Sequence, residues 1–309
     1  MSSKVLLTVV GPTAIGKTAL GILLAQHYKT EIISADSRQF FEEMEIGTAV
    51  PSKEELQAAP HHFIQHKSIF DPYSVGDFEK EAISFLEELF KKHDIAVMVG
   101  GSGLYVDAVV SGLDEFPEVE PMIRENLNQR LEEEGLESLQ NELKVHDPEY
   151  YKIVDLDNPH RLIRALEVSI AAKKPYSSFL DQQKPKRSFK TLYIGLDAPR
   201  EVIYSRINAR VDLMMEYGLL EEAKKLHARK HLNALQTVGY KELFEYLDGH
   251  CPLEHAISEI KKNTRRFAKR QLTWLRKNES ILWIPYNLEP DKMIELINNR
   301  LKSMDHAQR

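Results

Sequence analysis

The sequence has little of what secreted, membrane-bound or zinc-binding proteins carry. Its one cysteine, Cys251, excludes a disulfide within the chain and favours a reducing compartment. The apolar run near the N-terminus is about six residues long and leads into a loop motif, so we expect neither a signal peptide nor a membrane span. No CxxC pair is present, and no zinc site is predicted. We expect a soluble, cytoplasmic protein that does not bind membranes.

The chain also lacks an excess of positive charge. Its formal net charge is -6, which by itself disfavours nucleic acid as a partner. Residues 261–277, however, contain eight basic side chains and no acidic one. We interpret the basic side chains as phosphate contacts. Phe267 and Trp274 lie on another face of the same helical pattern, and we predict that they pack in the core.

Short apolar runs alternate with helical patterns, which predicts a parallel sheet with helices on both faces. Helical spacing is found after the first strand and again near residues 78–92, 237–246 and 253–277. The strands are expected at residues 4–10, 31–35, 95–99, 191–196 and 281–284.

Strand signals disappear between residues 114 and 190. Polar helical segments replace them at residues 121–134, 136–144 and 158–172. The predicted fold class is therefore α/β, with a P-loop core of parallel strands flanked by helices and a helical insertion domain. The core comprises residues 1–113 and 191–309, and the insertion residues 114–190.

A complete phosphate-loop motif, G-x-x-x-x-G-K-[ST], follows the first strand. Glycines let the backbone wrap closely around phosphate oxygens, and the following helix directs its first amides toward them. Lys17 adds a full positive charge, and the Thr18 hydroxyl can hold Mg²⁺. The motif consists of Gly11, Pro12, Thr13, Ala14, Ile15, Gly16, Lys17 and Thr18.

The loop does not reveal which reaction follows binding. An ATPase needs an acid at the end of a neighbouring strand, but the strand at residues 95–99 ends in Gly-Gly-Ser. Asp197 does end a strand, as in small-molecule kinases, so a kinase stays an alternative function. A nucleotide-binding module without chemistry is a further alternative. Asp36, after the second strand, is expected at the ligand edge of the sheet. It could bind Mg²⁺, act as a general base or cap a helix.

The ordered motifs resemble those of the tRNA dimethylallyltransferases, also called tRNA isopentenyltransferases. The resemblance runs from about Val5 to Trp283, nearly the whole chain. The motifs that carry it are GPTAIGKT, EIISADSRQ, MEIGTAVP, HHFI, DPYSVGDFEKEA, GGSGLYVDAVVSGL, NPHRLIRALEV, QTVGYKEL and TRRFAKRQLTWLR.

This resemblance implies transfer of a dimethylallyl group from dimethylallyl pyrophosphate to N6 of the adenosine just 3′ of the tRNA anticodon. The P-loop would then hold a leaving pyrophosphate, with Mg²⁺ as cofactor. Asp36 matches the catalytic aspartate of the family and Thr13 a threonine near the reacting centre. Arg206 and Arg210 match arginines near the pyrophosphate. A related prenyltransferase that acts on free adenine nucleotides stays open as an alternative.

The resemblance also implies a set of contacts to the tRNA anticodon stem-loop. Ser102 stands where the family usually has threonine, Ile15 where serine is common, and Val50 where lysine is usual. None of these departures removes a proposed catalytic group. We expect the protein to be a monomer. The implied tRNA contacts are Asp36, Ser37, Arg38, Gln39, Ser102, Arg124, His160, Arg161, Leu162, Ile163, Arg164, Gln236, Thr237, Val238, Gly239, Tyr240 and Lys241.

Overall fold

The computed structural model describes residues 4–180 and 185–306. The chain forms two compact units. The core unit comprises Met1–Val110 and Arg187–Arg309, and the insertion unit comprises Ser111–Lys186.

The core unit contains a six-stranded parallel sheet with the order β3-β2-β4-β1-β5-β6. This confirms the predicted parallel α/β core. The first, second and fourth strands end at the same edge, because β1 pairs in parallel with β4, and β4 with β2. The strands are β1 Val5–Val10, β2 Ile32–Ser34, β3 His61–His62, β4 Ile95–Val99, β5 Lys190–Asp197 and β6 Leu282–Pro285.

The central strand β1 is buried along its whole length. Its sequence, VLLTVV, is a continuous apolar run apart from Thr8, as is typical of a strand covered by helices on both faces. The edge strand β3 was not predicted, because two histidines carry no readable strand pattern. Each histidine has a local partner, since His61 Nδ1 lies 2.8 Å from the main-chain oxygen of Ala59 and His62 Nε2 lies 2.5 Å from Glu31 Oε2.

Thirteen α-helices occur in the described part of the chain. The helix predicted at residues 237–246 begins later, at Tyr240, because Gly239 caps it with a φ of 101°. The helices are α1 Lys17–Tyr28, α2 Lys53–Ala58, α3 Val75–Lys92, α4 Gly103–Ser111, α5 Pro121–Glu134, α6 Leu136–His146, α7 Pro148–Tyr151, α8 Pro159–Ala172, α9 Arg200–Glu216, α10 Leu219–Leu226, α11 Tyr240–Leu247, α12 Leu253–Leu275 and α13 Pro290–His306.

No helix within the described residues has the length and apolar character needed to cross a membrane.

The insertion unit is helical, with α5, α6 and α8 packed on one another. Leu127, Leu139 and Leu143 are almost completely buried and form a core with the apolar face of α8. Asn158 caps α8 by accepting a hydrogen bond from the Arg161 amide. Asparagine is favoured at this position, and a proline is favoured directly after it in the first helical turn.

Candidate active site

A cavity of about 1080 Å³ opens at the sheet edge where β1, β2 and β4 end. All of its lining residues belong to the core unit. Most come from the phosphate loop, the turn after β2, the segment at residues 47–55, the loop after β4, the segment that precedes α11, and faces of α9 and α12. This is the crevice in which open parallel sheets bind ligands.

The phosphate loop joins β1 to α1 through a turn that favours glycine. Gly16 caps α1 with a φ of 109°, and because it brings no side chain, the first-turn amides of α1 are available to an anion. The loop is held by two cationic side chains. Lys17 Nζ donates to the carbonyl of Pro12 at 2.9 Å, and Arg206 Nε donates to that of Ala14 at 2.9 Å.

Lys17, Asp36 and Arg210 form the charged centre of the cavity. Burial lowers the pKa of Lys17 to about 8; the Asp36 carboxylate opposes this shift and the Arg210 guanidinium adds to it. Burial also lowers the pKa of Arg210, against the opposing effect of Asp36. Lys17 and Arg210 thus place two buried cations in one cavity, an arrangement that favours a ligand carrying several negative charges.

Asp36 begins a turn after β2, so the alternative that it caps a helix is wrong. Its carboxylate oxygen Oδ1 accepts a hydrogen bond from the Arg38 amide at 3.2 Å, and its carbonyl accepts one from the Gln39 amide at 3.0 Å. The side chain lines the cavity with Lys17 and Arg210. Its two other interpretations, metal ligand and general base, stay compatible with this position.

The turn at residues 36–39 is fixed by loops on either side of it. The Ser37 amide donates to Ser102 Oγ at 3.3 Å, and the two hydroxyls lie 3.2 Å apart. Arg38 Nη1 donates to two main-chain carbonyls that precede α11, at 2.9 and 3.1 Å. Gln39 Nε2 donates to two carbonyls of the segment at residues 48–49, at 3.3 and 2.9 Å. These side chains therefore organise the cavity wall as well as line it.

Gln271 of α12 is a site residue that the sequence interpretation missed. Its Oε1 accepts a hydrogen bond from the Thr13 amide at 2.9 Å, and its Nε2 donates to the Gly101 carbonyl at 2.8 Å. A Cβ atom at Gly101 would lie 2.5 Å from Nε2, so a larger residue there would displace the Gln271 amide. Gln271 is only 7% exposed and joins the phosphate loop to the loop after β4. The only signal in the sequence was a polar residue within the apolar stripe of α12.

Most of the implied tRNA contacts in the core unit line the cavity. Tyr240 does not, because its side chain is fully buried and its hydroxyl donates to Glu222 Oε1 at 2.6 Å. The Glu222 carboxylate also accepts the three successive amides of residues 45–47, at 2.8 to 3.1 Å. Tyr240 therefore supports the cavity wall from behind. Those that line it are Asp36, Ser37, Arg38, Gln39, Ser102, Gln236, Thr237, Val238, Gly239 and Lys241.

The remaining implied contacts lie in the insertion unit, on α5 and α8. Arg124, His160 and Arg161 are exposed and Arg164 is half-buried, so each can reach a ligand. The side chains of Leu162 and Ile163 are buried in the core of this unit and are not available to a ligand.

The basic side chains of α12 divide into two groups. Lys261 pairs with Asp212 at 2.5 Å and Lys262 with Glu259 at 2.6 Å. Acidic residues outside residues 261–277 therefore neutralise part of the positive charge that the sequence of this segment indicated. Four of the others line a second, open depression of about 440 Å³. Its lining residues are Arg266, Lys269, Arg270, Thr273, Trp274 and Lys277.

The two aromatic side chains of α12 follow the core-packing prediction to different degrees. Phe267 is 39% exposed and lines the cavity, so the prediction that it is buried is wrong. Trp274 is partly buried against the core and lies so close to Gly103 that a Cβ there would be 2.6 Å from the indole. It also lines the cavity, and both rings thus present apolar surface at the site.

The profile of the IPP transferase family matches residues 39–278. The chain belongs to this family. It is 63% identical to a tRNA dimethylallyltransferase of Christiangramia forsetii over 97% of this chain and 100% of the relative. It is 58% identical to that of Flavobacterium johnsoniae over 97% and 99% of the two chains.

Solved structures of IPP transferases have the same fold. The full-length tRNA isopentenylpyrophosphate transferase of Bacillus halodurans superimposes with a TM-score of 0.73 at 36% identity, over 99% of both chains. A eukaryotic dimethylallyltransferase acting on tRNA superimposes with a TM-score of 0.77 at 27% identity, over 92% of this chain and 74% of the other. These relatives favour prenyl transfer over the kinase alternative.

Proposed function

We propose that this IPP transferase moves a dimethylallyl group from dimethylallyl pyrophosphate to N6 of the adenosine just 3′ of a tRNA anticodon, releasing pyrophosphate. The observation that carries the proposal is one cavity that holds a phosphate loop and a carboxylate together. Lys17 and Arg210 offer positive charge, while Asp36 offers a proton acceptor. The family membership and the activities of the relatives support the same reaction.

The phosphate loop is proposed to hold the leaving group. When the allylic C–O bond breaks, its electron pair remains on the pyrophosphate oxygen, where negative charge becomes concentrated. The first-turn amides of α1, together with Lys17 and Arg210, stabilise this charge as it develops. Arg206 supports the loop through the carbonyl of Ala14. Desolvation strengthens each of these interactions, because little water competes for the charge.

Asp36 is proposed as the general base. The exocyclic amine of adenine is a weak nucleophile, because its lone pair is delocalised into the ring. As N6 forms its bond to the allylic carbon, the proton it loses passes to the Asp36 carboxylate. Thr13 lines the same cavity, and Gln271 fixes its main chain. We assign Thr13 to the neighbourhood of the reacting carbon.

The donor set fits a Mg²⁺ ion that arrives with the pyrophosphate. Among the described residues, no group of three His, Cys, Asp or Glu side chains could hold a metal. Mg²⁺ needs few protein ligands when phosphate oxygens and water complete its shell. Thr18 lines the cavity and carries a hydroxyl oxygen that would contact the ion. The bound ion would neutralise pyrophosphate charge.

The adenosine is proposed to leave its base stack to reach Asp36. A duplex or stacked loop cannot bring N6 into a cavity of this kind, so base flipping is required. The turn at residues 36–39, Ser102 and the segment at residues 236–241 would surround the flipped base. The exposed basic residues of α12 and the insertion domain of residues 114–190, through Arg124 and residues 160–164, would hold the RNA backbone. We propose a cytoplasmic enzyme that acts as a monomer.

Label transfer tests this proposal. The protein is incubated with unmodified tRNA, Mg²⁺ and dimethylallyl pyrophosphate labelled in its prenyl group, and we expect the label in the RNA. Parallel samples contain AMP with the same donor, or AMP with labelled ATP. Label in AMP and none in tRNA would overturn the proposal in favour of a nucleotide prenyltransferase. Phosphate transfer from ATP would overturn it in favour of a kinase.

A further inference from the structure

Glu167 of α8 is a buried carboxylate in the insertion unit, with a side chain only 3% exposed. Its two oxygens have separate cationic partners. Arg124 Nε, from α5, lies 2.9 Å from Oε2, and Arg164 Nη1, one turn earlier on α8, lies 2.7 Å from Oε1. A buried carboxylate is costly unless it is paired, and here two guanidinium groups pair it.

Both arginines stay accessible to a ligand when paired with Glu167. Their side chains are 56% and 41% exposed, and the three charges sum to a net positive charge. Each guanidinium has five N–H donors; Arg164 gives one to Glu167, and Arg124 approaches the carboxylate through Nε alone. Arg164 is restrained further, because its guanidinium lies over the ring of Phe116 at 5.0 Å. The arrangement orients exposed donors before any ligand arrives.

We propose that Glu167 is a positioning residue that holds Arg124 and Arg164 as a preorganised pair of donors for the phosphates of the RNA backbone. This rests on the proposed tRNA prenyl transfer. A planar guanidinium matches phosphate geometry, and fixing it in advance removes the entropy cost of ordering a long side chain on binding. A free arginine of equal charge would bind the same phosphate more weakly.

The Glu167→Gln variant separates positioning from net charge. It removes one negative charge, so electrostatics alone would strengthen RNA binding. Positioning requires the opposite result, a KM for tRNA about tenfold higher, since both arginine side chains must then be ordered when the RNA binds. The value of kcat is expected to change by less than about twofold, because the reacting groups lie in the other unit.

The matched control is Glu125→Gln. Glu125 is exposed on α5 beside Arg124, and its substitution makes the same charge change. Its KM for tRNA is expected to stay equal to the wild-type value or fall slightly. If Glu167→Gln behaves like Glu125→Gln, the inference is overturned. Loss of label transfer by the wild-type protein would instead overturn the proposed function, so the two failures are distinguishable.

A second variant keeps the test decisive if Glu167→Gln does not fold. Arg124→Lys alters an exposed side chain and retains its charge, but lysine lacks the guanidinium whose Nε lies 2.9 Å from Glu167 Oε2. We expect a several-fold higher KM for tRNA with unchanged kcat and an unchanged KM for dimethylallyl pyrophosphate. An unchanged KM for tRNA would show that orientation by Glu167 does not matter.

Discussion

The core unit and the insertion unit use buried polar groups for different tasks. In the core, the uncharged Gln271 joins two loops by their main chains, so that amides and a few charges converge on one cavity. In the insertion, the charged Glu167 holds two arginines that stay exposed. A small, highly charged leaving group requires convergence in a poorly solvated site. An extended polyanion requires separated cations on an exposed surface.

The two units also differ in how solvent treats their charges. Burial lowers the pKa of Lys17 to about 8, so the charge of the core site depends on pH near neutrality. In the insertion unit, Arg124 and Arg164 have side chains that are 56% and 41% exposed, so water solvates their charges. The difference predicts that the pH response arises in the core cavity, whereas the exposed cations of the insertion and of α12 govern affinity for RNA.

Asp36→Asn is expected to have the largest effect. It should lower kcat by about a thousandfold, the usual size of a general-base contribution, and change tRNA affinity little. Asp197→Asn is the matched control, since Asp197 also ends a strand but does not line the cavity. Single-turnover rates and RNA binding are measured for both. A collapse of tRNA affinity with a normal rate per bound complex would make Asp36 a binding residue.

Allylic pyrophosphate binding should weaken above pH 8. Lys17 is protonated below its pKa of about 8 and neutral above it, and the anion binds the protonated form. The Kd of a non-reactive analogue should therefore rise about tenfold per pH unit above 8, while RNA affinity stays constant. Calorimetry between pH 7 and 9.5 measures both. A Lys17→Met variant should bind weakly with no such pH dependence, and a flat wild-type profile would contradict the prediction.

Gln271→Met should lower kcat about tenfold with little change in KM for tRNA. The isosteric apolar side chain leaves the Thr13 amide and the Gly101 carbonyl without this partner, at a cost of about 1–3 kcal/mol, part of which is expressed in the transition state. Gln26→Met is the control, because Gln26 also donates to a main-chain carbonyl but is exposed and does not line the cavity. Equal kcat values for the two variants would show that Gln271 does not position the two loops for catalysis.

Replacing Lys269 and Arg270 together with Gln should give the smallest change, a KM for tRNA about fivefold higher. The slope of log affinity against log salt should become shallower by about two, one for each lost phosphate contact. The control replaces Lys261 and Lys262, which have acidic partners, so it should alter the slope less. An unchanged slope in the first variant would exclude that surface from RNA binding.

The sheet could be predicted from sequence because buried parallel strands are continuous apolar runs. All five predicted strands are present, and only the two-residue β3 was missed. The start of α11 was placed too early, because helical spacing continues through residues before Gly239 and does not report its positive φ. The exposure of Phe267 was also missed, because spacing along a helix cannot tell a face on the core from one on a cavity.

The contributions of buried polar residues to the site were the hardest to predict. The implied contact at Tyr240 is a supporting residue, because its ring is buried and its hydroxyl binds Glu222. Gln271 and Glu167 were missed, since each acts through partners distant in sequence or on another helix. A motif identifies residue types in order but carries no information on which side chains meet.

The sequence by itself determined the parallel α/β core, the phosphate loop from Gly11 to Thr18 and the resemblance to prenyltransferases, since these depend on local spacing and backbone conformation. The tertiary structure alone decided that Lys17, Asp36 and Arg210 share one cavity and that Gln271 holds its loops. These contacts span up to 258 positions of sequence separation. They exist only because parallel strands bring their carboxyl ends to one edge of the sheet. Burial at that edge then lowers the pKa values of Lys17 and Arg210.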